Sequence, residues 1–131
     1  MTEHVNAARV REALEAYAKR DLDAVGDQLA KNIVWHVAGD HALSGDYEGR
    51  DAVLDYFRQV QQLTGDSLEL EVDEIVANDR FAAVFLHAKG KRQERELEVK
   101  MAEAIRFDDD GRWAEYWAMA NDQTAVNEFW R

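Results

Sequence analysis

Glu103 is the residue whose neighbours most clearly predict chemistry. It stands in a period-2 series of apolar residues formed by Leu97, Val99, Met101, Ile105 and Phe107. Because alternate residues of a β-strand point to one face, we expect this carboxyl on an apolar face. Burial disfavours the charged form and raises a carboxyl pKa, so Glu103 would hold a proton near neutral pH and act as an acid. The alternative is a carboxyl that pairs with Lys100 or Arg106.

Two further side chains are candidates for acid–base catalysis. His36 follows Trp35, and imidazole is the only side chain whose ordinary pKa suits a general base near pH 7. Strict alternation puts His36 on the face opposite Trp35, which favours a structural role. Asp122 follows the last predicted strand. It would equally serve as the N-cap of a final helix, a role that needs no pocket.

Several aromatic or apolar side chains are candidates for lining a ligand pocket. They are Tyr17, Trp35, His41, Tyr56, Phe57, Met101 and Tyr116. Tyr17 has a simpler alternative, because it also suits packing against Leu14 on its own helix. His41 lies in a loop and would line a pocket mouth or remain solvated. The sequence alone leaves undecided which face of the strands carrying His36, His87 and Trp117 lines the pocket.

The sequence carries no signature of a metal or cofactor site. It contains no cysteine, and its histidines at positions 4, 36, 41 and 87 show no helical i, i+4 pair beside a carboxylate. The P-loop, dinucleotide and nucleophile-elbow motifs are absent. We therefore predict neither a metal ion nor a cofactor.

The charge balance argues against polyanionic partners. The formal net charge is −11, which would repel nucleic acid and an anionic membrane surface. A short basic stretch, 89–92, is interpreted as a solvated hairpin turn. The first residues contain an acid and no apolar run, so we expect no signal peptide and a cytoplasmic location.

The first half of the chain alternates helices with one strand. Apolar spacing predicts an amphipathic helix over 3–19, then a short helix over 22–29 capped by Asp21. Residues 33–37 are β-branched and aromatic enough for a strand, which a glycine-rich loop follows. A further helix begins near Arg50 and ends at Thr64-Gly65.

The second half changes to a period of two. Strands are predicted around 68–73, 81–88, 97–107 and 113–120, and the apolar run 81–88 suggests a more buried strand than the half-exposed strand 68–73. Residues 108–111 form a hairpin turn, and Asp122 opens a final helix. Helices gathered before an antiparallel meander predict an α+β fold, with a cavity where the sheet curves against the helices.

These elements and several short segments resemble the SnoaL-like branch of the nuclear transport factor 2-like superfamily, which includes polyketide cyclases and ketosteroid isomerases. The segments that carry the resemblance are 20–24, 35–39, 43–53, 107–112 and 115–117. It implies one domain over 1–131, with a cone-shaped barrel of mostly antiparallel sheet around a long N-terminal helix. It also implies an apolar pocket and homodimers through the outer sheet face, in line with Trp113, Trp117 and Met119 on one strand face.

The resemblance also implies roles for individual residues. Glu103 matches the position where ketosteroid isomerases place the protonated acid of their oxyanion hole, although that acid is an aspartate. Asp122 matches an acid–base aspartate of polyketide cyclases. Asn121 is equally close in position, but its amide is chemically a weaker match. The isomerase tyrosine and base fall at Ala13 and Val37, which cannot replace them. A steroid isomerase is therefore rejected.

We predict a pocket-forming protein that binds a small hydrophobic or aromatic metabolite. If the protein is an enzyme, Glu103 would carry out cofactor-free acid–base catalysis of the isomerase, cyclase or hydrolase type. The alternative is a non-catalytic ligand-binding or dimerisation module. Catalysis requires two titratable groups to converge on one enclosed cavity, and binding does not.

Overall fold

The computed structural model describes residues 3–131. Met1 and Thr2, at the start of the segment on which the signal-peptide prediction rests, lie outside the described residues. The helices are α1 Val5–Ala18, α2 Leu22–Asp27, α3 Arg50–Thr64 and α4 Gln123–Trp130. The strands are β1 Leu29–Val37, β2 Gly45–Glu48, β3 Glu69–Ala77, β4 Phe81–Arg92, β5 Arg95–Phe107 and β6 Trp113–Ala120. Within residues 3–131, no helix combines the length and apolarity needed to cross a membrane.

The strands form one six-stranded sheet in the order β2-β1-β6-β5-β4-β3. Neighbouring strands are antiparallel except β1 and β6, which are parallel. The predicted α+β class and the meander from β3 to β6 are confirmed. The sheet is curved but open, with β2 and β3 as its edges. The curved, mostly antiparallel sheet is as expected, but it does not close into a barrel.

The predicted helix ends are formed by the expected residues. Asp21 accepts a hydrogen bond from the Ala24 backbone N–H at 3.1 Å, and Asp122 accepts one from Ala125 at 3.0 Å. Gly65 ends α3 in the left-handed conformation with φ 57°, which glycine adopts without steric cost. These caps set where the chain reverses between helices and strands.

β2 was not predicted, because the glycine-rich segment after β1 was interpreted as loop. Tyr47 pairs with Trp35 and Asp46 pairs with His36, so the segment adds a short edge strand. Asp46 and Glu48 are exposed, and Tyr47 is half-buried. A strand this short and polar gives little periodic signal.

β4 is more buried than β3, and its buried residues lie on one face. Ala82, Val84 and Leu86 are buried, whereas Phe81 and Phe85 are each 46% exposed. The described helices pack against the other face of the sheet, and within residues 3–131 no helix packs over the two phenylalanines. Chemical type alone could not distinguish the two faces.

A β-bulge changes the side on which Trp113 lies. Glu115 pairs with Arg106, but Trp113 pairs with Phe107, so Ala114 is an extra residue in β6. An inserted residue reverses the alternation of side chains on one side of the bulge. Trp113 is therefore buried at 4% exposure on the inner face, and its expected place on the outer face beside Trp117 is wrong.

The core lies between the inner sheet face and the helices. Val10 of α1, Ile33 of β1 and Val53 of α3 are fully buried, and each such side chain contributes about 1.5–3 kcal/mol of transfer free energy. Trp35 packs edge-on against Phe57, with ring centroids 4.9 Å apart. This packing fixes α3 over β1 and forms one wall of the cavity described below.

Candidate functional site

A cavity of about 170 Å³ lies between the helices and the inner face of the sheet. Most of its wall is apolar, with contributions from α1, α3, α4 and strands β1, β4, β5 and β6. All the side chains predicted to line a pocket are in this wall, together with Glu103: Tyr17, Trp35, His41, Tyr56, Phe57, Met101 and Tyr116. The fold thus brings residues from distant parts of the sequence to one space.

Glu103 is the only acidic side chain in the wall of this cavity among the residues the structure describes. It is 8% exposed, and its Oε1 is buried without a hydrogen-bond partner in the protein. Burial raises the pKa of Glu103 to about 7, although a hydrogen bond from Tyr116 acts in the opposite direction. Arg106 instead pairs with Glu115 on the outer face, at 3.5 Å. The carboxyl therefore exists in both protonation states near neutral pH.

Tyr116 holds the other oxygen of that carboxyl. Its phenol donates a hydrogen bond to Glu103 Oε2. In the sheet Tyr116 lies opposite Ile105, and Glu103 lies opposite Ala118, so the two are diagonal neighbours on one face. Burial, and then the nearby Glu103 charge, raise the pKa of Tyr116 well above its usual value. Tyr116 is therefore a neutral donor across the physiological pH range.

Two more phenols share the cavity. Burial raises the pKa of Tyr17 to about 12, and burial also raises the pKa of Tyr56. Tyr17 packs edge-on against Phe57 with centroids 5.4 Å apart, and Tyr56 lies 4.7 Å from the Tyr47 ring. Both phenols remain neutral near pH 7 and offer hydrogen-bond donors, but neither is a base there.

His41 lies in the loop between β1 and β2, at the edge of the cavity. The Leu43 backbone N–H donates to His41 Nδ1 at 3.1 Å, which assigns the proton of the neutral ring to Nε2. That Nε2 is buried, and no protein acceptor meets hydrogen-bond geometry with it. Burial lowers the pKa of His41. The ring is therefore a neutral donor, or a base only after it exchanges tautomer.

His36 also lines the cavity, but neither His36 nor Asp122 hydrogen-bonds Glu103. The His36 ring lies on the outer face, where Nδ1 is 2.6 Å from Asp46 and Nε2 is 2.7 Å from Glu115. The hydrogen bond with Glu115, followed by that with Asp46, raises the pKa of His36. Asp122 is occupied as the N-cap of α4. Both side chains have structural roles that account for their positions.

His87 also faces outward, where its Nε2 lies 3.0 Å from an Asp73 carboxylate oxygen. Asp73 is the extra residue of a bulge in β3. Within residues 3–131, no cluster of three or more histidine or acidic side chains has the arrangement of a metal site. Apart from His36, whose ring is paired with Asp46 and Glu115, the polar side chains of the cavity wall are one carboxyl, neutral phenols, the Gln123 amide and neutral ring donors.

The sequence analysis missed two contributions to the site. Trp113 enters the wall only because of the bulge at Ala114, which alternation does not reveal. Gln123 and Trp130 of α4 also line the cavity, because α4 folds back over the end of the sheet. The indication available from the sequence was the apolar face of the final helix.

An open curved sheet that packs helices on one face around a cavity defines the α+β class with the nuclear transport factor 2-like fold. Solved structures share this architecture. Bal32a, from a soil-derived mobile gene cassette, is 24% identical with a TM-score of 0.92, and the match covers 96% of each chain. An NTF2-like protein of unknown function from Burkholderia pseudomallei K96243 is 26% identical with a TM-score of 0.84, covering 95% of this chain and 96% of that one.

A third similar structure is IdmH from Streptomyces antibioticus, a candidate polyketide cyclase. It is 22% identical with a TM-score of 0.75, and the match covers 94% of this chain and 96% of that one. The family model for the SnoaL-like domain matches residues 10–116, so the chain belongs to the SnoaL-like family. Among curated proteins, no relative matches the chain.

Proposed function

We propose that the cavity binds a small, largely apolar molecule that carries an oxygen atom, and that Glu103 serves as its acid–base group. The observation that carries this proposal is a buried carboxyl with one oxygen held by Tyr116 and the other free in an apolar cavity. A buried acid left without a partner costs free energy, and such groups concentrate at functional sites.

The geometry suits proton transfer without a cofactor. Protonated Glu103 would transfer its proton from Oε1 to a ligand oxygen on which negative charge develops, and the carboxylate left behind would then accept a proton that the reacting ligand releases. The Tyr116 hydrogen bond would then stabilise the carboxylate that remains. Because the pKa of Glu103 is about 7, the same residue can regain its proton at neutral pH. Isomerisation, cyclisation and hydrolysis all use such a step, and IdmH is one candidate cyclase with this fold.

A non-catalytic binding module is the second candidate, and one observation favours it. Glu103 is the only acid of the wall among the described residues. Tyr17 and Tyr116 are neutral near pH 7, and burial lowers the pKa of His41. The His36 ring, whose pKa is raised by its hydrogen bonds, is already paired with Glu115 and Asp46. A binder needs no second acid or base. The same cavity would then hold an apolar ligand, with Glu103 fixing its orientation.

Glu103→Gln separates the two functions. We would screen small carbonyl compounds and epoxides for turnover and for an increase in melting temperature, and then compare Glu103→Gln with Glu94→Gln, an exposed residue in the β4–β5 turn. The enzyme proposal expects Glu103→Gln to lose at least about a hundredfold in turnover while ligands still stabilise the protein. Turnover equal to that of the Glu94→Gln control would refute the catalytic role.

We also propose that the chain forms a homodimer through the outer face of its sheet. Val76, Ala83, Ala104 and Trp117 form one row across four strands, and Phe85, Ala102 and Met119 form the next. Met119 is 73% exposed and Trp117 38% exposed in the isolated chain. Such a contiguous apolar patch is typical of an interaction surface. Location in the cytoplasm stays a prediction from the sequence.

A further inference from the structure

Trp113 presents a buried hydrogen-bond donor for which the protein supplies no acceptor. Its side chain lines the cavity, the residue is 4% exposed, and its indole Nε1 is buried without a protein partner. An indole N–H can only donate. Buried polar groups are nearly always paired, so an unpaired one in a cavity wall indicates what the cavity is built to receive.

The fold holds this donor rigidly in place. The Trp113 backbone N–H donates to the Gln28 carbonyl at 2.9 Å, which ties the start of β6 to the end of α2. The Trp113 ring lies parallel to Trp35 at an interplanar angle of 5°, with centroids 6.2 Å apart. A donor fixed on a strand and against a second indole loses little conformational entropy on binding a ligand.

Glu103 and Trp113 lie along the same aromatic wall. Trp35 stacks on Tyr116 with centroids 3.5 Å apart and an angle of 9°, and Tyr116 in turn holds Glu103. Trp35 therefore lies between Trp113, whose Nε1 is unpaired, and Tyr116. Tyr116 is hydrogen-bonded to Glu103, whose Oε1 is also unpaired. The two unpaired atoms thus belong to residues of one continuous part of the cavity wall.

We propose that Trp113 is a specificity-determining donor that binds a second oxygen of the ligand. The ligand is then a ring compound with two acceptor oxygens, such as a dicarbonyl or a hydroxyketone, one oxygen at Trp113 and one at Glu103. A cavity of about 170 Å³ suits one six-membered ring, because an engineered cavity of about 150 Å³ accepts benzene. This inference rests on the proposed ligand-binding function and adds the identity of its polar contacts.

The test uses the indole N–H signals of the protein in ¹H–¹⁵N NMR spectra, after sequential assignment. The probes are cyclohexane-1,4-dione, cyclohexanone and cyclohexane, which share one ring and differ in the number of carbonyl oxygens. We expect the dione to bind and to move the Trp113 indole proton downfield, as a new hydrogen bond would. Cyclohexane should bind without that downfield shift.

Trp113→Phe removes the donor and keeps an aromatic ring, and Trp130→Phe is the matched control because Trp130 lines the same cavity and its indole nitrogen is not a buried atom left without a partner. In Trp113→Phe the preference for the dione over cyclohexane should fall by about tenfold, as expected for one lost hydrogen bond. Trp130→Phe should change the two affinities alike.

The outcomes separate the two proposals. Binding of the dione and cyclohexane with an unmoved Trp113 indole signal in the wild-type protein would overturn the donor role and leave the binding function standing. The absence of binding by any of the three rings would overturn both. The wild-type spectrum decides the question even if Trp113→Phe fails to fold.

Discussion

The Tyr116 phenol donates a hydrogen bond to Glu103 Oε2 across neighbouring strands, while Glu103 Oε1 stays unpaired in an apolar cavity. The two oxygens of the Glu103 carboxyl therefore differ in their hydrogen bonding. One is held by the protein, and the other has no partner in the protein. The hydrogen bond stabilises the carboxylate and burial opposes it, and burial is the larger effect on the pKa of Glu103.

Tyr116→Phe should raise the pKa of Glu103 further. The substitution removes the donor that favours the charged carboxyl but keeps the ring that stacks on Trp35. A pH titration of the Glu103 side-chain carboxyl by ¹³C NMR would measure the change. Tyr17→Phe is the control, since Tyr17 lines the same cavity and donates no hydrogen bond to Glu103. Equal titration curves in the two variants would contradict the assigned role of Tyr116.

Glu103 should make the protein less stable as the pH rises. Its folded-state pKa is raised from 4.5 to about 7, so between these values the folded state binds more protons than the unfolded state, and the free energy of unfolding falls with increasing pH. A shift of this size corresponds to roughly 3 kcal/mol. Glu103→Gln should remove this decline, so that the variant gains stability relative to the wild type from pH 5 to pH 8. Parallel urea-unfolding profiles for the two proteins would count against the raised pKa.

The sequence predicted the face of Glu103 because β5 runs regularly from Arg95 to Phe107, and over such a strand period-2 alternation is reliable. It failed at Trp113, where one extra residue, Ala114, reverses the faces. No chemical feature of that segment distinguishes a bulge from a regular strand.

The sequence also could not predict that Tyr116 is the hydrogen-bond partner of Glu103. Alternation placed both Glu103 and Tyr116 inward, but their contact depends on the register of β5 against β6, which is set by the hairpin and its bulge. The same limit applies to Phe81 and Phe85, whose exposure depends on what covers the outer face.

The loop at the cavity mouth should tolerate alanine poorly at Gly39. Gly39 has φ 106°, and a Cβ there would lie 2.3 Å from Asn127 Oδ1 and 2.4 Å from Gln123 Nε2. Gly45 is the matched control, because its φ is 132° but an added Cβ would meet nothing within 4 Å. Gly45→Ala should cost about 1 kcal/mol of backbone strain, and Gly39→Ala should cost more by urea unfolding. Equal losses would show that the loop does not pack on α4 as described.

The outer face of the sheet should hold two copies of the chain together. Trp117→Glu places a charge in the centre of the apolar rows described above, and burying an unpaired charge is costly. Multi-angle light scattering at micromolar concentration should give a dimer for the wild type and a monomer for Trp117→Glu. Val5→Glu is the control, because Val5 is an equally apolar, 57% exposed residue on α1. A wild-type monomer, or a dimer lost only in Val5→Glu, would exclude this interface.

The central claim is that the buried Glu103 carboxyl gains and loses its proton near neutral pH. The most direct measurement is a pH titration of that carboxyl. Selective ¹³C labelling of glutamate, with the Glu103 signal assigned by its loss in Glu103→Gln, gives the midpoint without any ligand. The account predicts a midpoint near pH 7. A midpoint near the ordinary value of 4.5 would mean that water reaches the carboxyl freely, and it would remove the basis for both the acid–base role and the apolar site.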